Sequence, residues 1–79
     1  MKTDYTLSRL HWACRRGMLE LDLIFEKYVN TRYSHASAEE QALFIKLLEE
    51  TDQDLFDWLL KKIEPRLPQY KTMINILLP

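Results

Sequence analysis

At 79 residues and 9.5 kDa the chain has room for one domain, spanning 1–79, and for little enclosed space beyond its own core. Eleven basic against twelve acidic side chains leave a formal net charge of −1, which argues against a general nucleic-acid binder. The longest unbroken apolar run, Ala42 to Ile45, is four residues and cannot span a bilayer. The first five residues lack the apolar stretch of a secretion signal. A lone cysteine, Cys14, excludes an internal disulfide and fits a reducing compartment.

One glycine, three prolines and no sustained apolar/polar alternation point to an all-α chain, and five short helices are expected. The first runs from about Asp4 to Arg15, with Leu7, Leu10 and Cys14 on one face, and Gly17 breaks it. The second covers Leu19 to Arg32, with Leu21, Ile24, Phe25, Tyr28 and Val29 as its apolar stripe, and a polar loop follows from Thr31 to Ser37. Ser37-Ala38-Glu39-Glu40 reads as a capping box: the serine hydroxyl takes the Glu40 amide proton, and the Glu40 carboxylate reaches back. That box opens a third helix to about Glu50, with Leu43, Phe44, Leu47 and Leu48 inward. Thr51 or Asp52 caps a fourth, Gln53 to Ile63, which buries Leu55, Phe56, Leu59, Leu60 and Ile63, leaves Trp58 half-buried, and stops because of Pro65. Pro68 suits the first position of a fifth helix carrying Tyr70, Met73, Ile74 and Leu77. Short connections favour antiparallel neighbours, hence a compact single-domain bundle without repeats or linkers.

Catalytic and metal chemistry find little footing. His11 and Cys14 share a helix face at i, i+3, but structural zinc wants four ligands and His35 stands apart in a loop. The same pair lacks an orienting third group that would make Cys14 a nucleophile, so a packed thiol is the better account. Glu39/Glu40, Glu49/Glu50 and Asp52/Asp54 read as solvated helix-end acids, and one glycine cannot make a phosphate-cradling loop. No enzyme, resident cofactor or metal is expected.

The segment Arg15-Arg16-Gly17-Met18-Leu19-Glu20-Leu21-Asp22 supports two readings equally. In one, arginines close a helix, Gly17 supplies a left-handed stop and acids open the next helix. In the other, a second protein approaches closely over Gly17, meets the donor fork of Arg16, and anchors on an exposed Trp12. In the second half of the chain, Asp54 within Asp52 to Leu59 fits either a first-turn acid or a surface contact.

Arg9-Leu10-His11-Trp12, Cys14 through Asp22, Leu47-Leu48-Glu49 and Asp52-Gln53-Asp54-Leu55-Phe56-Asp57-Trp58-Leu59 together resemble the succinate dehydrogenase assembly factor family, the small FAD assembly factors. The resemblance runs from about Arg9 to Leu60. It implies a five-helix bundle that binds the flavoprotein subunit of succinate dehydrogenase, and often of fumarate reductase, and promotes covalent attachment of FAD to a histidine of that subunit. The family's Arg-Gly-x-x-Glu motif falls on Arg16, Gly17 and Glu20, the place where such proteins meet the flavoprotein. Arg15, Asp22 and Trp12 extend it more loosely. FAD is then the partner's cofactor, with none held by this chain. The absence of a mitochondrial presequence suggests a bacterial cytoplasmic member, monomeric when free, without membrane insertion. A helical adaptor or regulator that turns the same Arg16/Gly17 surface to an unrelated protein is the alternative.

Overall fold

A computed structural model of the chain describes residues 7–78, with side chains from Arg9 to Leu78. Five α-helices follow in order: α1 (Leu7–Cys14), α2 (Leu19–Thr31), α3 (Ala38–Leu48), α4 (Asp52–Leu59) and α5 (Pro68–Leu77), with a 3-10 turn at Tyr33–His35 between α2 and α3. The expected start of helix one at Asp4 and the Leu7 side chain lie outside the described residues. α1 and α2 form a hairpin, α5 packs on α3, and α2 is the common neighbour that also meets α4 and α5. The radius of gyration, 11.7 Å, matches the roughly 11.6 Å expected of a compact chain this long.

Local chemistry sets most boundaries. Ser37 Oγ accepts the Glu40 amide at 3.1 Å, and Thr51, rather than Asp52, caps α4 by accepting the Asp54 amide at 3.1 Å. Pro68 occupies the first turn of α5. One apolar cluster fills the interior: Leu10 and Cys14 from α1, Leu21 and Phe25 from α2, Phe44 and Leu47 from α3, Leu55 and Leu59 from α4, Tyr70 and Met73 from α5.

Several expectations need correction. α1 ends at Cys14, so Arg15 and Arg16 lie just past it. α2 stops at Thr31 and leaves Arg32 as its C-terminal cap. α3 ends at Leu48, and the amides of Glu49 and Glu50 tighten onto the carbonyls of Lys46 and Leu47. α4 ends well before Pro65. Lys61 and Ile63 donate their amides to the Phe56 and Asp57 carbonyls, and Lys62 takes a left-handed φ of +60°, which turns the chain away and leaves Ile63 exposed. Trp58 is not half-buried: it is 5% exposed, tilted against Tyr70 with ring centroids 5.4 Å apart, and covered by the Arg66 guanidinium. The loop after α2 is more than polar connection, since Tyr33 packs its ring against Tyr28 and Phe44. The second half of the capping box does not form. The Glu40 carboxylate instead accepts from Tyr28 Oη at 2.7 Å and from Arg32 Nε at 2.8 Å. A charged bidentate partner outcompetes a single backbone amide.

Candidate interaction surface at the α1–α2 corner

The corner is built by Gly17. Its φ of +81° is a conformation that costs other residues about 1–2 kcal/mol, which is why a glycine stands here. A side chain added at this position would meet nothing within 4 Å, so internal crowding is not the reason. Met18 caps α2 through extended backbone with no side-chain acceptor, and Glu20 and Asp22 in the first turn supply the negative charge that a helix N-terminus favours. Asp22 does more: its Oδ1 accepts the Arg16 amide at 2.8 Å across the turn, fixing how α2 leaves α1. Further along the hairpin, His11 Nδ1 lies 3.2 Å from Glu26 Oε2.

The two adjacent arginines diverge. Arg16 turns inward, its side chain 17% exposed. Nη2 donates to the carbonyls of Leu48 and of Glu50, the latter at 2.8 Å, and Nη1 reaches the Ala13 carbonyl at 3.5 Å. Nε sits 3.2 Å from Asp52 Oδ1, an ion-pair approach without hydrogen-bond alignment. The donor fork that sequence reading offered to a visiting protein is therefore engaged by the chain itself. It ties the end of α1 to the α3–α4 junction and satisfies carbonyls that α3 leaves open at its C-terminus. Nothing in the Arg-Arg pair distinguishes the inward residue from the outward one; the distant junction makes that choice.

Arg15 stays exposed, as do Gly17 and Glu20, while Asp22 is partly covered. Trp12 is 75% exposed, a point the sequence had left open. Leu19, 72% exposed, and Leu23, 60% exposed, were missed by sequence reasoning. Their signal was present: both fall outside the α2 stripe, and leucines off a stripe have no interior to enter. Arg15, Leu19, Asp22, Leu23 and Glu26 line a shallow hollow of about 370 Å³. Large apolar side chains and an arginine held in water on one short hairpin are the ingredients of a protein-binding patch.

Cys14 is fully buried, and burial, reinforced by Glu26 and opposed by Arg16, pushes its thiol up to about 12, the reverse of an activated nucleophile. Among the described residues no group of three or more His, Cys, Asp or Glu side chains could hold a metal ion, and no helix is long and apolar enough to cross a membrane. Asp54 sits in the first turn of α4 and accepts from Arg66 Nη1 at 3.3 Å within the chain. Arg66 also binds Glu50 at 2.9 Å, and Tyr70 Oη donates to the other Glu50 oxygen at 2.8 Å.

Residues 8–78 match the family model described as the flavinator of succinate dehydrogenase. The chain is 42% identical to the FAD assembly factor SdhE of Pseudomonas aeruginosa over 99% of its own length and 93% of that protein. It is 40% identical to the protein of the same name from Pectobacterium atrosepticum, over 89% of this chain and 80% of that one. It is 50% identical to the Shewanella oneidensis protein of that name over 68% and 66% of the two chains. No solved structure matches the chain. The family description and these names denote an assembly factor, not an enzyme.

Proposed function

We propose a function from a plain premise: the chain belongs to the family of flavinators of succinate dehydrogenase. It binds the flavoprotein subunit of succinate dehydrogenase, of fumarate reductase, or of both, and promotes covalent attachment of FAD to that subunit. The observation that carries this reading is the outward face of the α1–α2 corner, where Trp12 and Leu19 stand in water beside Arg15, Gly17 and Glu20.

Within that face the roles differ. Trp12 and Leu19 anchor, and Arg15 and Glu20 supply exposed charge. Gly17 lets the partner's backbone come close, because the space above it is open. Arg16 and Asp22 act from behind: one fastens the corner to the α3–α4 junction, the other sets the turn. Attachment of the flavin is the flavin's own chemistry within the partner subunit. The helper contributes by holding one domain arrangement of the flavoprotein, so that histidine and isoalloxazine meet. A monomeric helper in the bacterial cytoplasm, holding no flavin of its own, is sufficient for that task.

In-gel flavin fluorescence of the succinate dehydrogenase large subunit tests the reading. A strain lacking this protein shows the band weakened or lost, and restoring the wild-type chain returns it. A band of undiminished intensity in its absence contradicts the proposal. An adaptor bound to an unrelated protein is separated by affinity purification, where the flavoprotein subunit is the expected main prey.

A further inference from the structure

A second exposed apolar feature continues from the corner. Leu23 forms one edge of a groove of about 500 Å³ between α2 and the C-terminal end of α5, floored by Ile24, Leu77 and Leu78 and flanked by Lys27 and Lys62. Both lysines are exposed. Several cations elsewhere among the described residues are paired: Arg16 with Asp52, Arg32 with Glu40, Arg66 with Glu50 and Asp54, and Lys71 with Glu64, while Arg15, Lys46 and Lys61 are not. Among the described residues, neither Lys27 nor Lys62 has a carboxylate within ion-pair distance. Lys62 also holds its left-handed φ of +60°. Closing α4 explains the turn but not the lysine, since glycine takes this conformation without strain.

We infer that this groove docks an acidic amphipathic segment of the partner, its apolar side chains on Leu23, Ile24, Leu77 and Leu78 and its carboxylates on Lys27 and Lys62. Helix-in-groove recognition uses this combination of apolar floor and charged rim. A second copy of the chain is a poor occupant, because a two-fold pairing of the groove with itself would set lysines against lysines. The inference rests on the proposed function for which protein carries the segment, and on the groove alone for the segment's chemistry. It extends the contact along α2, well beyond the Arg-Gly-x-x-Glu turn.

The test is calorimetric titration of the purified flavoprotein subunit with the wild-type chain, with the charge reversal Lys27→Glu/Lys62→Glu, and with Lys62→Gly, at low and at physiological salt. The reversal is expected to weaken binding about tenfold or more and to flatten its salt dependence. Lys62→Gly is expected to raise the urea midpoint while weakening binding, an outcome that a purely structural lysine would not give. If the wild-type chain binds and the reversal changes affinity less than about twofold, the groove assignment is overturned and the proposed function stands. If the wild-type chain does not bind the flavoprotein subunit, the proposed function falls and takes this assignment with it. Flotation of the wild-type chain with phosphatidylglycerol vesicles through the same lysines, or a dimer in sedimentation that the reversal dissociates, would also overturn it.

Discussion

Arg15 and Arg16 are neighbours in sequence and opposites in use. The inward side of the α1–α2 corner is densely bonded: Arg16 binds two carbonyls of the α3–α4 junction and faces Asp52, while Glu50 in that junction also receives Arg66 and Tyr70. The outward side, a few ångströms of backbone away, leaves Arg15, Trp12 and Leu19 in solvent. On the proposed reading, a single helix-breaking turn separates a stability role from an interaction role. Substitutions on its two sides should fail in different ways.

The sharpest contrast is between the arginines. Arg16→Ala strips partners from the Leu48 and Glu50 carbonyls and is expected to destabilise the chain by about 3 kcal/mol, read by urea denaturation. Arg15→Ala should change stability by less than about 0.5 kcal/mol while weakening flavoprotein binding. Equal stability losses in the two variants would erase the division between the sides.

Gly17→Ala is expected to cost about 1–2 kcal/mol, because φ is positive and the new methyl meets no neighbour. Gly17→Arg should cost a similar amount and also block the outward space, so the pair separates backbone strain from lost binding. On the inward side, Tyr70→Phe removes the hydroxyl shared by Glu50 and the Lys46 carbonyl and should cost about 1 kcal/mol.

The smallest effect is electrostatic and lies far from the corner. The hydrogen bond from Arg32, helped by that from Tyr28 and opposed by burial, holds the Glu40 carboxyl below the usual range. Its folded pKa is the lower one, so the stability it contributes is complete above the ordinary glutamate pKa and is lost as pH falls through the folded value. Glu40→Gln should therefore flatten the acid limb of the stability–pH curve and leave the corner's binding untouched.

Much of this architecture was legible from residue types. Gly17, the Ser37 and Thr51 hydroxyls and Pro68 act locally, through backbone geometry or first-turn amides, so their neighbours in sequence suffice to place them. What escaped depends on distant partners. Glu40 abandons the capping box for Arg32 and Tyr28, Tyr33 leaves a polar loop for an aromatic cluster, and α4 stops at Leu59 although Pro65 lies further on. The candidate site divides the same way. Helix phase set Trp12 off the Leu10/Cys14 face without deciding its exposure, and the inward turn of Arg16 required the α3–α4 junction to be in place.

The most direct test of the outward face is calorimetry of the purified flavoprotein subunit with the surface variant Trp12→Ala/Leu19→Ala. Both side chains are largely in water, so the variant should keep its urea midpoint within the range of ordinary surface substitutions. Its affinity should fall by roughly 30-fold or more, as expected when aromatic and aliphatic anchors are removed from an interface. Wild-type affinity in the folded variant would contradict the account.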